Sequence, residues 1–447
     1  MKIIIVGAGQ VGSSLSINLV KEGNDVTLID KSADLLDNIA DKIDLQTIHG
    51  NGAHPRILEA AGAHKADMIV AVSKSDETNM IACQVAYTVF GVGKKIARIR
   101  DLEYLNYENL FADESTPIDF TISPDLIVSN YIKKLIGNQG THQIFNFSNS
   151  ENCFLNIIYK DISEQENTIQ YFQSECEKLN SKICAFIRND KLFSIEDGDI
   201  LQDGDELLFI CKEENIKEVT KLFGYKKENK RIMIAGGGNI GKHLSENINV
   251  SCQVKVIESN EERAEYLSEV VDDVTIINAD SSNEDILLEE NIEHMDVFCA
   301  LTNDDEANIL SAMLAKKLGA RTVISIINKL SYSDLVEKQE IDITISPENL
   351  TMGALLTHIR KGSVLKAHSI MNGFIELLEL DVKDKEKSKI LGKNINQINL
   401  SENTIVCCII RENEFIFDYS KIILEQNDRL ICLVNKKDVK EIEDLFE

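Results

Sequence analysis

The chain has 447 residues, of which 43% are hydrophobic and 27% charged, a composition typical of a soluble globular protein with two to four domains. A net charge of −27 disfavours nucleic acid and anionic membrane surfaces as partners. No apolar run reaches about 18 residues and no signal-peptide pattern opens the chain, so we expect a cytosolic location without direct membrane insertion. The scattered cysteines and histidines predict neither a disulfide framework nor a metal site.

Short apolar runs alternate with helix-length segments over residues 1–138. The runs lie at 3–6, 26–29, 45–48, 68–72 and 95–99. Val/Ile-rich runs between helices predict a parallel sheet covered on both faces. Right-handed crossovers make such a sheet doubly wound, or Rossmann-like. The segment Ile122-Ser123-Pro124 predicts a helix start, because proline suits the first helical position.

A glycine-rich motif joins the first apolar run to the first helix. Its residues are Gly7, Ala8, Gly9, Gln10, Val11 and Gly12. In such a motif the glycines allow a tight turn, approach of a pyrophosphate and close packing of helix on strand. Asp30 closes the second predicted strand, 18 residues after Gly12, where a carboxylate can accept hydrogen bonds from the hydroxyls of an adenosine ribose. The acid also repels a 2′-phosphate, so the pattern predicts NAD(H) rather than NADP(H).

Other polar residues follow the later strands at their carboxyl ends, where doubly wound sheets bind ligands. Asn51 follows the third run, and Ser73 and Lys74 follow the fourth. Arg98 and Arg100 lie on one face of the fifth predicted strand, where an arginine can reach a phosphate. Two alternatives stay open. The first three residues form turns without contacting a ligand, and the arginines form a salt bridge at the sheet edge.

Residues 139–225 have a different pattern, with short strands at 183–187, 192–195 and 206–210 and a closing helix near 214–222. Turn-forming residues separate the strands, so the segment predicts a small α+β domain. Arg188 could bind an anion there, although a surface ion pair is the commoner use of such a residue.

The chain is an internal duplication. Residues 231–241 match 2–12, residues 302–309 match 73–80, and residues 345–349 match 122–126. Repeats in the same order predict that the same two modules occur twice. The predicted fold class is therefore α/β, with two tandem Rossmann-like doubly wound parallel sheets, each followed by a small α+β domain. The predicted bounds are 1–138, 139–225, 230–361 and 362–447.

The second copy repeats the glycine-rich motif and its acid. The motif residues are Gly236, Gly237, Gly238, Asn239, Ile240 and Gly241. Glu258 lies 17 residues after Gly241, and Asp280 and Thr302 follow the third and fourth strands of this copy. Two motifs with two correctly placed acids indicate two nucleotide sites, with decay of the second as the alternative.

The basic pair of the first copy has no counterpart in the second. We align Ser325 with Arg98 and Ile327 with Arg100. Phosphate contacts in the second site are therefore in doubt, and the two sites are expected to prefer different nucleotides.

This ordered set resembles the TrkA family, in which two RCK (or KTN) domains are each followed by a TrkA-C domain. The resemblance rests on GAGQVG at 7–12, Asp30, SKSDETNM at 73–80, ARIRD at 97–101 and both ISP motifs, and it extends over essentially the full length. It implies a peripheral subunit on the inner face of the cell membrane that binds NAD(H), and ATP or ADP, in its RCK domains. It also implies a ring, typically a homotetramer, that biases the gate of a TrkH- or TrkG-type potassium-translocating membrane protein.

The resemblance further implies roles for individual residues. Residues 7–12 and 236–241 would form two phosphate loops, and Asp30 and Glu258 would take the ribose. Ser73 and Lys74 would border the first nucleotide, and Arg98 would approach its phosphates.

Two alternative functions stay open. An NAD-dependent oxidoreductase needs a proton donor beside the cofactor, usually histidine or lysine. His142 and His368 do not occupy equivalent positions, since the position matching His142 is Leu365, and we predict no catalytic residue. The other alternative is a ring scaffold without nucleotide sensing.

Overall fold

A computed structural model gives the fold. It describes residues 1–148, 151–160, 168–189, 191–196, 198–225, 228–329, 332, 340–359, 364–370, 374–383, 389–401 and 404–446. The predicted domain boundary between residues 361 and 362 lies outside this set, and the four predicted bounds stay predictions. Contacts divide the chain into two compact units, residues 1–127 with 348–358 and residues 128–347 with 359–447. Within the described residues, no helix is long and apolar enough to cross a membrane.

The first unit contains a parallel sheet of six strands in the order β3-β2-β1-β4-β5-β6. The strands are β1 Lys2–Val6, β2 Asp25–Asp30, β3 Gln46–His49, β4 Met68–Ala71, β5 Lys94–Arg98 and β6 Phe120–Ile122. The predicted doubly wound sheet is confirmed, with its strand order reversing between β1 and β4. The sequence did not predict β6, because a strand of three residues is too short to give an apolar run of its own.

Helices cover both faces of this sheet. They are α1 Gln10–Lys21, α2 Ala33–Ala40, α3 Pro55–Ala60, α4 Asp76–Phe90, α5 Leu102–Leu105 and, divided between the units at residues 127 and 128, α6 Pro124–Gly137. Strand β4 is buried along its whole length, and Leu15 and Leu19 of α1 are fully buried. Burial of these side chains holds α1 against the sheet and so positions the glycine-rich loop that precedes it.

A helix from the end of the second repeat completes the first unit. Most of helix α13, Pro347–Ile359, belongs to this unit. The Ser14 hydroxyl hydrogen bonds to the Glu348 carboxylate, and the Lys94 ammonium donates to the carbonyl of His358. The His358 ring stacks on Phe120 at a centroid distance of 3.5 Å. Helix periodicity alone could not assign this helix to the first sheet.

The second unit contains a second six-stranded parallel sheet with the same topology, β14-β13-β12-β15-β16-β17. Its strands are β12 Arg231–Ala235, β13 Gln253–Glu258, β14 Val274–Asn278, β15 Val297–Ala300, β16 Thr322–Ile326 and β17 Ile343–Ile345. Its helices are α9 Asn239–Ile248, α10 Glu261–Val270, α11 Glu284–Glu289 and α12 Asp305–Lys317. The duplication inferred from sequence is therefore confirmed at the level of strand order.

Two antiparallel five-stranded sheets form the rest of the second unit, in the equivalent orders β7-β8-β11-β9-β10 and β18-β19-β22-β20-β21. The first comprises β7 Thr141–Asn146, β8 Asn152–Ile158, β9 Lys182–Arg188, β10 Lys191–Ser194 and β11 Glu206–Lys212, with α7 Ile169–Glu177 and α8 Ile216–Leu222. The second comprises β18 Val364–Ile370, β19 Ile375–Asp381, β20 Ile405–Arg411, β21 Glu414–Ile416 and β22 Arg429–Asn435, with α14 Val439–Phe446. The predicted α+β class of these modules is confirmed.

The two antiparallel sheets pack against each other, and one of their contacts joins equivalent residues. Phe145 of β7 stacks on His368, which holds the same position in β18, with ring centroids 4.2 Å apart. The Glu379 carboxylate accepts a hydrogen bond from the backbone N–H of Ser148 at 2.6 Å, and it also pairs with Arg429 at 3.0 Å. The sequence repeats thus produce a pseudo-symmetric pair of small domains.

Candidate functional site

The first site is the loop formed by residues 7–12 together with Asp30, at the carboxyl ends of β1 and β2. Gly7 has a φ of +111°, and a Cβ added there would lie 2.8 Å from the Cα of Ser73. A Cβ at Gly12 would lie 1.8 Å from the carbonyl oxygen of Gly7. These backbone contacts explain why the loop needs glycine at both positions. The loop thereby turns directly into α1, whose N-terminus favours an anion.

Asp30 connects the loop to the next helix. One carboxylate oxygen accepts a hydrogen bond from the Ala8 N–H at 2.6 Å, and the other accepts from the Ser32 N–H at 2.8 Å. Ser32 is the N-cap of α2. A carboxylate has about four acceptor positions, so Asp30 can also accept from the hydroxyls of a ribose.

The three residues after β3 and β4 mainly form turns. The side-chain oxygen of Asn51 accepts from the N–H of Ala53 at 3.1 Å. Ser73 donates through its N–H and its hydroxyl to the side-chain oxygen of Asn79, at 2.9 and 2.7 Å, and Lys74 is exposed. These contacts favour the turn alternative for Asn51 and Ser73, and a nucleotide contact by any of the three stays a prediction.

The two arginines at β5 differ in their environments. Arg100 pairs with Asp125 of α6 at 3.1 Å, as the salt-bridge alternative predicts. The Nε of Arg98 is buried and has no hydrogen-bond partner within the described residues. Burial, and then the charge of Arg100, lower the pKa of the Arg98 guanidinium. A phosphate would satisfy this buried donor, so the first site fits an anionic nucleotide.

Sequence reasoning missed two residues that hold this edge of the site. Asp76 accepts hydrogen bonds from the backbone N–H groups of Arg100 and Asp101, at 2.8 and 2.9 Å. The Asn79 amide donates to the carbonyl of Arg98 at 2.8 Å. Both residues belong to the segment that the duplication repeats, so their recurrence at fixed places was the signal that could have identified them.

The second site, formed by residues 236–241 and Glu258, repeats the geometry. Gly236 has a φ of +106°, and a Cβ at Gly241 would lie 2.0 Å from the Gly236 carbonyl oxygen. Glu258 accepts hydrogen bonds from the N–H groups of Gly237 and Asn260, both at 2.8 Å. Gly238 is the N-cap of α9, which begins with Asn239 and Ile240. The second loop is thus built like the first.

The other predicted residues of the second site form local turns. The Asp280 carboxylate accepts from the N–H and the hydroxyl of Ser282, at 2.8 and 2.7 Å, and these bonds lower the pKa of Asp280. Thr302 donates through its N–H and its hydroxyl to Asn308, at 2.8 and 2.7 Å, as Ser73 does to Asn79. Nucleotide contacts by Asp280 and Thr302 stay predictions.

The predicted alignment of β16 with β5 was wrong by one residue. Ala97 pairs with Ala71 in the first sheet, and Ser325 pairs with the equivalent Ala300 in the second, so Ala97 and Ser325 are equivalent. Ile326 therefore occupies the position of Arg98, and Asn328 occupies that of Arg100. Asn308 confirms this alignment, because its amide donates to the carbonyl of Ile326 at 3.1 Å. A one-residue deletion near the end of α12, before Gly319, causes the shift. Neither position is basic, so the predicted lack of the arginine pair is confirmed.

The second site has a different arginine, which the sequence analysis did not identify. The Nε of Arg263, on α10, donates to the carbonyl of Gly237 at 2.8 Å. Its guanidinium also lies 4.9 Å from the ring centroid of Tyr266. One terminal nitrogen, Nη2, is buried and has no hydrogen-bond partner among the described residues. The second site therefore has a guanidinium beside its loop.

Each small domain has an arginine at the same position, and both arginines form ion pairs. Arg188 pairs with Asp205 at 2.6 Å, and Arg411 pairs with Asp428 at 2.8 Å. Each guanidinium also donates to a backbone carbonyl, of Ile200 in the first case. The ion-pair prediction is confirmed over the anion-binding alternative.

Two family models match parts of the chain. The family model described as the TrkA-N domain matches residues 3–124 and 232–347, and that of the TrkA-C domain matches residues 177–224. The Trk system potassium uptake protein TrkA of Halomonas elongata is 38% identical over 451 residues, covering 100% of this chain and 99% of that protein. The chain belongs to the TrkA family. The TrkA protein of Haemophilus influenzae is 39% identical over 452 residues, with the same coverage.

Solved structures share the fold of this TrkA family member at lower identity. The GsuK RCK domain superposes with a TM-score of 0.64 at 15% identity, covering 100% of this chain and 94% of that chain. The GsuK channel bound to NAD has a TM-score of 0.63 at 15% identity, covering 100% and 78%. The family resemblance and the tandem Rossmann-like fold predicted from sequence are confirmed.

Proposed function

We propose that this chain is the nucleotide-binding regulatory subunit of a Trk-type potassium uptake system. NAD(H), and ATP or ADP, bind at the two glycine-rich loops, and their binding biases the gate of a TrkH- or TrkG-type membrane partner. The names of the TrkA relatives, Trk system potassium uptake proteins, support the biological role. Regulation of this kind requires a nucleotide that binds one conformation of the assembly better than another.

One observation carries the nucleotide part of the proposal. In both halves a carboxylate at the end of the second strand accepts the N–H of the second loop residue, Ala8 in one case and Gly237 in the other. The same acid accepts an N–H at the start of the following helix. The loop is thus ordered around the acid expected to take the ribose, and preorganisation of this kind reduces the entropic cost of binding.

Ring assembly and peripheral attachment at the inner membrane face belong to the same proposal. Ile81 on α4 and Leu310 on α12 occupy equivalent positions and are 49% and 61% exposed. Large apolar side chains exposed at the same place in both repeats support self-association, with a homotetramer as the proposed ring. The transporter partner then accounts for attachment to the membrane.

The oxidoreductase alternative has weaker support. His142 is half-buried, and burial is the main cause of its lowered pKa. His368 stacks on Phe145 within the pair of small domains. Both histidines thus serve in packing, and the non-enzymatic role is the one we propose.

Calorimetric titration of the purified full chain with NADH and then with ATP tests this function. We expect two sites per chain, with NADH binding at the first site weakened about 10- to 100-fold in the Asp30→Ala variant. Reconstitution with the potassium transporter in liposomes should then show potassium flux that depends on the nucleotide. Absence of binding of both nucleotides would contradict the proposal and favour a scaffold without nucleotide sensing.

A further inference from the structure

The two sites place their cations on different elements. Among the described residues, two guanidinium nitrogens are buried without a hydrogen-bond partner, Nε of Arg98 and Nη2 of Arg263. One belongs to the first site and the other to the second. A buried donor of a charged group is costly to leave unsatisfied, so each of these atoms indicates a missing acceptor.

The arginines lie in different halves of their sheets. A doubly wound sheet consists of two mononucleotide-binding halves, and a dinucleotide crosses both of them at the switch point. Arg98 ends β5, in the half that begins with β4. Arg263 lies on α10, which follows β13, in the half that contains the glycine-rich loop. The first site therefore has its cation in the half of the sheet away from the glycine-rich loop, which only a dinucleotide reaches. The second site has its cation beside the loop.

Each arginine is matched by an apolar residue in the other copy. Ile326, which is buried, replaces Arg98 at the end of β16. The N-caps Ser32 and Asn260 align α2 with α10, so Leu35 occupies the position of Arg263 and is 42% exposed. The second site thus lacks the distal cation, and the first lacks the cation beside the loop.

Arg263 and Glu258 both hydrogen bond to the backbone of one loop residue, Gly237. Arg263 donates to the carbonyl of Gly237, and Glu258 accepts from the N–H of Gly237. A Cβ at Gly237 would lie 2.3 Å from a methyl carbon of Leu267 and 3.1 Å from the Glu258 carboxylate, so a larger residue there would require the Leu267 side chain to shift. This arrangement holds the guanidinium close to the carboxylate expected to take a ribose.

We infer that the second site selects adenosine mononucleotide phosphates, of the ADP and ATP class, and that Arg263 is the specificity-determining residue. The unsatisfied nitrogen of Arg263 donates to a phosphate oxygen of a ligand that stays within the half containing the loop. The first site, with Arg98, takes the dinucleotide. This inference rests on the proposed function, because it requires nucleotides at both loops.

The test uses calorimetry on the full chain with ADP, and with adenosine as the ligand that lacks phosphate. The Asp30→Ala background isolates the second site. There, Arg263→Leu, which introduces the residue type of the first copy, should weaken ADP binding about ten- to a hundredfold, the effect of losing a hydrogen bond to a charged group. Adenosine affinity should change less than about threefold, whereas damage to the loop itself would weaken both ligands. Arg263→Lys keeps the charge and should weaken ADP less.

Arg56→Leu, at an exposed arginine of α3, removes the same charge elsewhere and serves as the matched control. In the Glu258→Ala background, which isolates the first site, Arg98→Ile should weaken NADH.

The outcomes separate the inference from the proposed function. Equal loss of ADP and adenosine in Arg263→Leu, or unchanged ADP affinity, would overturn the role of Arg263. NADH binding at the second site as tight as ADP binding would overturn the selectivity. If the unmodified chain bound neither nucleotide, the proposed function would fail instead.

Discussion

The carboxylate of Asp30 accepts the backbone N–H of Ala8 at a distance of 2.6 Å. This bond joins the glycine-rich loop to the end of β2, and a second bond to Ser32 joins it to α2. The acid therefore orders the loop before any ligand arrives. Its substitution should affect binding both through the lost ribose acceptor and through a less ordered loop.

Replacement of Asp30 should weaken NADH at the first site. Asp30→Ala removes the acceptor for Ala8 and for the ribose, so we expect an affinity loss of about 10- to 100-fold by calorimetry. Asp30→Asn keeps an oxygen that can accept one N–H, and its loss should be smaller. Asp25→Ala, at the exposed start of the same strand, is the control. Wild-type affinity in Asp30→Ala would contradict the assigned role.

Alanine substitutions at different loop glycines should have different effects, one on stability and the other on nucleotide affinity. In Gly12→Ala the new methyl group would lie 1.8 Å from the Gly7 carbonyl oxygen, so the backbone must shift, and we expect a loss of at least about 1–3 kcal/mol in a thermal denaturation experiment. Gly241→Ala should behave in the same way. At Gly9 no atom lies within 4 Å of an added Cβ, so Gly9→Ala should keep its melting temperature but bind NADH more weakly. A lower melting temperature in Gly9→Ala would argue against this division.

Loss of Arg188 should reduce stability without changing nucleotide binding. Arg188→Ala leaves the Asp205 carboxylate, 2% exposed, with the N–H of Gln202 but without its arginine partner, and we expect the free energy of unfolding to fall by about 2–3 kcal/mol. The control, Lys178→Ala, removes an exposed ion pair with Glu175 and should cost less than about 1 kcal/mol. Urea denaturation measures both changes. Weaker NADH binding in Arg188→Ala would instead revive an anion-binding role.

The pair of small domains should lose stability in mild acid. Burial, and then the charges of Lys366 and Lys134, lower the pKa of His368 to about 3 from 6.5. Between these values the unfolded chain binds a proton that the folded chain does not, so the free energy of unfolding falls as the pH falls from 6.5.

His368→Phe keeps the stacking on Phe145 and removes this titration. The loss of stability between pH 7.5 and pH 5 should therefore shrink by roughly 2 kcal/mol in urea denaturation. His294→Gln, which removes an exposed imidazole elsewhere in the chain, is the matched control. An unchanged slope in His368→Phe would exclude His368 as its source.

Local patterns predicted most of the elements that build the sites. The apolar runs located five strands of the first sheet, and the glycines with Asp30 and Glu258 located both loops, because turn geometry and strand burial act over few residues. The alignment of Ser325 with Arg98 was wrong because β16 is a continuous apolar run, and a shift of such a run by one residue leaves its apolar pattern unchanged. Strand β6 was missed because it is only three residues long.

The sequence by itself determined the duplication, the parallel sheets and the two loop–acid pairs, since each depends on periodicity or on residues close together in the chain. Only the tertiary structure decided which helix completes the first unit and which arginine lies beside the second loop. Residues 348–358 follow the second sheet yet pack in the first unit. Arg263 lies 26 residues from Gly237, and its contact depends on the packing of α10 beside the loop. Contacts between distant segments arise from burial of shared apolar surface, which a local pattern does not specify.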